Sequence, residues 1–301
     1  MSNTTAIAED KRRLLIGVPL FIALVLAWGI FWPMMKLALA ELPIFSFRFI
    51  TSAMACAAMF VIAILSGHGL RVPRDQWPAL LVAGTFNIGI WFYLSAVGVS
   101  ELPAGRASLL AYTMPLWSFL ISIPMLGERV TAGRIFGVIM GICAVAVLMY
   151  DDLTNLGRAP LGVAIMTLAA VCFAFGGVWQ KYVQWRIPLL TMAAWQLAIG
   201  MVPMAIMGIP EMADLPPMST DLILILLYCA LIGQVFGSAA YFFLVNLLPI
   251  KTVSLSLLLT PLVGLSSSAL ILGEQIGWTE GIAAGLIVAA ILTVIPRGEN
   301  A

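Results

Sequence analysis

Ser108-Leu109-Leu110-Ala111-Tyr112-Thr113-Met114-Pro115-Leu116 opens an apolar run that closes at Gly127-Glu128. The pattern returns as Ser254-Leu255-Ser256-Leu257-Leu258-Leu259-Thr260-Pro261-Leu262, and that run closes at Gly273-Glu274. Each proline precedes its glutamate by thirteen residues, and the copies lie 146 residues apart (261 − 115 and 274 − 128). In a hydrophobic chain, such a repeat reads as two copies of one helical bundle with a substrate path between them.

The composition names the solvent. Of 301 residues, 62% are hydrophobic and 10% charged, against about 25% charged in a soluble globular domain. Most of the surface must therefore face lipid. A net charge of +1 gives no argument for nucleic acid, so the expected partners are the bilayer and a small-molecule substrate. Cys56, Cys143, Cys172 and Cys229 stand singly in apolar runs, without metal-ligand or redox spacing, and read as small buried hydrophobes. No metal or cofactor is implied. Lys11-Arg12-Arg13 precedes an apolar stretch from Leu14 to Met35, about twice the length of a signal-peptide core, which reads as an uncleaved first span.

Ten runs can cross a ~30 Å hydrocarbon core as helices. They lie near 14–39, 45–66, 77–98, 103–126, 132–150, 160–182, 188–209, 221–246, 251–272 and 278–296. The runs are continuous rather than alternating, which excludes a β-barrel. The expected fold is an all-α integral membrane protein, one membrane domain over 1–301. Repeat one covers about 14–150 and repeat two about 160–296, surrounding a central cavity.

Charge sets the orientation. With the N-terminus inside, the cytoplasmic face collects Lys11, Arg12, Arg13, Arg71, Arg74, Arg129, Arg134, Lys181, Arg186, Lys251 and Arg297. Only Lys36, Arg48, Arg106 and Arg158 fall on the other side. The positive-inside rule thus places both termini in the cytoplasm. Because each repeat has an odd number of spans, the second is inserted upside down.

Several features could carry function. Pro115 and Pro261 each remove a helix hydrogen bond at the same depth, which suits a pair of hinges or an ordinary packing kink. Trp28, Trp32 and Lys36 line one stripe of the first span; Gly84, Asn87, Trp91 and Ser95 line one of the third. Ser108, Tyr112 and Pro115 follow in the fourth, and Gln234, Ser238 and Tyr241 in the eighth. The sixth and seventh add Trp179-Gln180 and Trp195-Gln196. Trp77 and Trp278 fit interface anchors, whereas Trp91, Trp117 and Trp195 fall near mid-span. The amides either bind substrate or bond between helices. The candidate substrate-binding residues are Trp28, Trp32, Lys36, Asn87, Trp91, Tyr112, Trp179, Trp195, Gln234 and Tyr241.

No Asp, Glu or His falls in the middle third of any span, so there is no carboxylate or histidine relay for proton pumping. His68 lies in a loop. Lys36, Arg48 and Arg106 sit near the outer ends of their spans, where snorkelling is expected, above all for Arg48. Lys36 could instead meet a substrate carboxylate or a carbonyl cluster. Gly133, Gly137 and Gly141 match Gly277, Gly281 and Gly285 as close-packing stripes. Packing within a monomer is favoured, with a homodimer as the alternative.

These residues resemble the drug/metabolite transporter superfamily, in its ten-helix branch of two EamA-type repeats. The resemblance covers roughly 14–296 and rests on Trp28-Gly29 with Lys36, on Phe47-Arg48, and on the two Pro…Gly-Glu phrases. Phe175-Gly176 stands in the second copy where Trp28-Gly29 stands in the first, with Lys181 following. The resemblance implies helices one to four and six to nine around a cavity, with five and ten at the side. With the aromatic content of that cavity, it also implies a plasma-membrane exporter of neutral and aromatic amino acids working by alternating access. Another metabolite is the alternative substrate. An enzyme would need a base to activate serines such as Ser254 and Ser266, and the spans offer no buried His or Asp.

Overall fold

The computed structural model describes residues 2–154, 161–213, 215, 217–247 and 250–294, with side chains described for all of these but 2–14, 151–154, 242, 245–246, 250–258 and 294. The side chains of Lys11, Arg12, Arg13, Asp151, Asp152, Arg158, Lys251, Ser254 and Arg297, and Pro216, lie outside the described set.

Every regular element among the described residues is helical. Spans one to eight are Leu15–Glu41, Ile44–Leu65, Arg74–Glu101, Ala104–Leu126, Ala132–Tyr150, Leu161–Tyr182, Leu189–Met212 and Thr220–Tyr241, all long and apolar enough to cross a membrane. Spans nine and ten are Ile250–Leu272 and Trp278–Val294. Pro43, Pro103 and Pro188 stand immediately before spans two, four and seven, with φ of −57°, −53° and −60°. At those positions the missing N–H costs nothing, since the first turn of a helix has no acceptor for it.

The repeated Gly-Glu phrase has a backbone cause. Gly127 and Gly273 take φ of +67° and +68° at the ends of spans four and nine. A residue with a β-carbon is strained in that left-handed conformation, and glycine is not. The glycine stops the helix and the glutamate is delivered just past its end.

Packing obeys a two-fold exchange of the repeats. Span one packs on spans nine and eight, as span six packs on spans four and three. Spans two and seven pack on each other, and so do five and ten. Exchanging one with six, two with seven, three with eight, four with nine and five with ten therefore maps these contacts onto one another. Five spans per repeat make this an inverted repeat.

The glycine stripes behave differently from each other. Spans five and ten do pack together, and their buried Ala144, Leu148, Ala283, Ile287 and Ile291 belong to one apolar cluster. An added Cβ at Gly141 would collide with Leu116, but at Gly281 or Gly285 it would meet nothing within 4 Å. The contact between the two spans is thus not made by matched glycine faces.

The two prolines sit differently in their helices. In span four the helix ends at Ala111 and restarts at Met114, leaving Tyr112 with φ −76° and ψ 9° and Pro115 in the first turn of the new segment. In span nine the helix runs unbroken through Pro261. A proline deletes one hydrogen bond, and a helix packed on its neighbours can absorb that loss without unwinding. The symmetric irregularity lies elsewhere. Thr85–Ile90 in span three and Tyr228–Phe236 in span eight are both π-helical. Each carries a cavity-lining amide, Asn87 in the first and Gln234 in the second.

Candidate functional site

A cavity of about 730 Å³ lies between the two repeats. Seven of the residues singled out as substrate-binding line it: Trp28, Trp32, Asn87, Trp91, Tyr112, Gln234 and Tyr241. Pro115 lines it as well, beside the interrupted turn. At one end the lining is buried, through Trp32, Met35, Arg48, Ser95 and Tyr112. At the other it reaches Glu128, Arg134 and Lys181, whose side chains are 28%, 23% and 69% exposed. The cavity is therefore a blind pocket with its mouth at the Glu128 end.

The walls are aromatic. Trp28 lies 5.6 Å from Tyr241, ring centre to ring centre, and its Nε1 donates to the Gly233 carbonyl at 3.1 Å. That carbonyl belongs to the π-helical stretch of span eight. Trp91 packs 5.0 Å from Phe173, joining spans three and six.

The amides are partly structural. Asn87 Nδ2 donates to Gln180 Oε1 at 3.1 Å and to Gln196 Oε1 at 3.0 Å, tying span three to spans six and seven. Gly176 makes room for it, since a β-carbon there would sit 2.1 Å from Asn87 Oδ1. Asn87 Oδ1 and both amide atoms of Gln234 have no partner among the described residues. Buried amide groups without protein partners call for ligand or solvent partners.

Three of the singled-out residues are placed away from the cavity lining. Trp179 Nε1 donates to the Ala79 carbonyl, and Trp195 Nε1 to the Leu70 carbonyl, each at 3.0 Å. Trp195 also packs edge-on against Trp77 and Phe60. Adjacent residues lie about 100° apart round a helix. In each Trp-Gln pair the glutamine takes the cavity face, so the tryptophan points elsewhere. Gln180 and Gln196 thus line the cavity where their neighbours were singled out.

Lys36 meets carbonyls rather than the cavity. Its Nζ donates to the backbone oxygens of Val99, Ser100 and Leu102 at 2.6, 3.0 and 2.8 Å. Glu274 accepts from the N–H groups of Ala104 and Gly105 at 2.6 and 3.0 Å. A cation at the end of span three and an anion at the start of span four each match the local helix dipole. Together they pin the turn at the blind end. The repeat equivalents, Lys181 (36 + 145) and Glu128 (274 − 146), instead pair with each other at 3.1 Å beside the mouth. Arg134 joins Glu128 at 3.2 Å. Partial burial alone would raise the Glu128 carboxyl, but the hydrogen bond and charge of Lys181, with the charge of Arg134, outweigh it and hold the group below the usual carboxylate range.

The snorkelling expectation is corrected for both arginines. Arg106 is buried and forms an ion pair with Glu280, Nε to Oε1 at 3.0 Å, joining span four to span ten. Arg48 is 1% exposed and lines the cavity. Its Nη2 donates to Ser95 Oγ at 2.7 Å and to Met35 Sδ at 3.0 Å, and its guanidinium lies 4.9 Å from the Phe92 ring centre and 5.2 Å from that of Phe47. No carboxylate lies within ion-pairing distance of it among the described residues. Cation–π contacts contribute about 0.5–2 kcal/mol, against several kcal/mol to desolvate the ion. Position near a span end suggested a side chain reaching for water; the tertiary packing turns it inward.

Residues 15–150 and 160–295 each match the EamA-like transporter family. The chain is 29% identical over 266 residues to the uncharacterized transporter YvbV of Bacillus subtilis, covering 88% of this chain and 86% of that one. It is 25% identical over 291 residues to the probable amino-acid metabolite efflux pump of Escherichia coli (90% and 92% covered), and 26% identical over 292 residues to that of Salmonella typhimurium (90% and 92% covered). A solved crystal structure shares the fold, with a TM-score of 0.58 at 21% identity over 91% of this chain and 95% of the other. Two matched copies of one family model, on ten apolar helices around a cavity, identify a multi-pass membrane transporter rather than an enzyme: the chain belongs to the EamA-like transporter family.

Proposed function

We propose that this transporter exports neutral amino acids, aromatic ones included, across a bacterial inner membrane by alternating access. The observation that carries the reading is the blind, aromatic-walled cavity of about 730 Å³ between the repeats, a size suited to a small molecule. Trp28, Trp32, Trp91, Tyr112 and Tyr241 offer contact area to apolar and aromatic side chains. Gln234 and Asn87 offer amide atoms to the polar end of the substrate. The relatives named as amino-acid metabolite efflux pumps support the substrate class.

In the orientation favoured by the basic residues, the mouth faces the cytoplasm, where an exporter loads. Lys36 and Glu274 then hold the outer side shut. Transfer of the pinning from this end to its repeat equivalent would open the cavity outward. Thermal-shift titration of the purified protein tests the substrate class. Tryptophan and phenylalanine should raise the melting temperature; no shift with any neutral amino acid would count against it.

A further inference from the structure

We propose that Arg48 is the anion subsite of the cavity, and that the protein selects its substrates by a carboxylate rather than by an ammonium group. The inference rests on the reading of the cavity as the substrate site. It does not require that the substrate be an amino acid.

Three observations converge on Arg48. It is a permanently charged group at the blind end of a cavity, and it is 1% exposed. It is held by neutral groups only: Ser95 Oγ, Met35 Sδ and the faces of Phe47 and Phe92. Its Nε has no partner among the described residues, and no hydrogen bond engages Nη1. Contacts with the two rings and the two hydrogen bonds from Nη2 hold the guanidinium while leaving Nε and Nη1 unused. A planar fork with spare donors, held in a buried end of the cavity, suits a carboxylate, which accepts charge-assisted hydrogen bonds and supplies the missing counter-charge.

The repeat sharpens the point. The position equivalent to Arg48 in the second repeat is Ala193 (48 + 145), which also lines the cavity. The inner cavity thus carries one positive charge and not two, which suits a monoanion and not a phosphate dianion. Among the described residues no acidic side chain faces Arg48 across the pocket. Among the lining residues the only carboxylate is Glu128, which sits at the mouth and is engaged by Lys181 and Arg134. A substrate ammonium therefore finds neutral amides, while a substrate carboxylate finds a fixed cation.

The test uses the full-length protein in proteoliposomes and three ligands that share an indole ring. These are tryptophan, indole-3-propionate (carboxylate without ammonium) and tryptamine (ammonium without carboxylate). Each competes with a labelled substrate in counterflow. The expected result is that tryptophan and indole-3-propionate compete and tryptamine does not. Arg48→Gln should weaken competition by both carboxylates about 10- to 100-fold, the loss expected for a hydrogen bond to a charged group, and Arg48→Lys should recover part of it. Monodispersity and melting temperature of the variants, with Arg48→Lys as the milder change, separate a folding defect from a binding defect. Tryptamine competing as well as indole-3-propionate in the wild type would overturn the proposal, as would a folded Arg48→Gln protein with unchanged competition. Competition by indole-3-propionate but not by tryptophan would retain the Arg48 subsite and reject the amino-acid reading. Transport of tryptophan that is insensitive to Arg48→Gln would do the reverse.

Discussion

Glu274 and Glu128 occupy the same place in the two repeats and hold different partners. Glu274 accepts from the backbone N–H groups that open span four, whereas Glu128 pairs with Lys181 and Arg134 at the cavity mouth. One end of an inverted repeat is pinned and the other is not. A two-fold repeat caught in one state of an alternating cycle should show this asymmetry.

Removing the pin should open the blind end. In Glu274→Ala, a cysteine introduced at Ser95 should react several-fold faster with a membrane-impermeant maleimide added from the Glu274 side. Glu128→Ala should leave that rate unchanged, since its ion pairs lie at the other end. The measurement needs a background without the four native cysteines. Equal rates in wild type and Glu274→Ala would mean that this carboxylate does not hold the cavity shut.

The two kinds of ion pair should differ in weight. Arg106 and Glu280 are both buried, and Glu280 also accepts from the Gly277 N–H at 2.9 Å and from the Thr279 hydroxyl at 3.1 Å. Breaking a buried pair from one side costs about 3–5 kcal/mol. Arg186 and Asp75 are mostly exposed, and such pairs contribute about 0–1 kcal/mol. Glu280→Gln should therefore lower the melting temperature far more than Asp75→Asn. Similar melting temperatures for the two variants would show that the Arg106 pair is not structural.

Asn87 should prove to be a brace between helices as well as part of the wall. Asn87→Leu removes both hydrogen bonds to Gln180 and Gln196, each worth about 1–2 kcal/mol within a membrane by model-peptide measurements. Gly176→Ala forces the same side chain away. The two changes act on one contact, so the double variant should lose less stability than the two single losses added together. Strict additivity would place them in separate networks.

Transport should be flat with pH near neutrality. Glu128 is held below the usual carboxylate range by Lys181 and Arg134 against the opposing effect of burial. The stability its ion pairs contribute is fully present above the usual range and is lost only as pH falls through the lowered value. Between about pH 6 and 8 the group stays ionised and carries no proton across. A pH gradient alone should not drive uphill accumulation in liposomes; if it did, Glu128 would be the first residue to re-examine.

Much of this was legible in the chain, for reasons that differ by element. The spans were readable because the bilayer leaves continuous apolar helices as the available solution for runs of this kind. The Gly-Glu phrases were readable because a left-handed helix stop favours glycine. Asn87 and Gln234 could be placed facing inward, since an amide facing lipid is costly. Local patterns could not place Arg48, because a cation near a span end can reach for water or turn into a cavity, and the rings of Phe47 and Phe92 decide between them. Nor could they separate Trp179 from Gln180 or Trp195 from Gln196, since the choice depends on helix rotation set by tertiary contacts. The break at Pro115 and the continuity at Pro261 depend on packing in the same way.

The measurement that bears most directly on the account is counterflow in proteoliposomes. Vesicles preloaded with unlabelled tryptophan should transiently accumulate labelled tryptophan, and glycine should be a poorer substrate. Trp91→Ala should reduce the tryptophan signal several-fold to about tenfold, in keeping with about 0.5–1.5 kcal/mol for one lost ring contact, and should reduce glycine less. Absence of counterflow for every neutral amino acid by the folded wild-type protein, or equal loss of tryptophan and glycine in Trp91→Ala, would contradict an aromatic-walled amino-acid exporter.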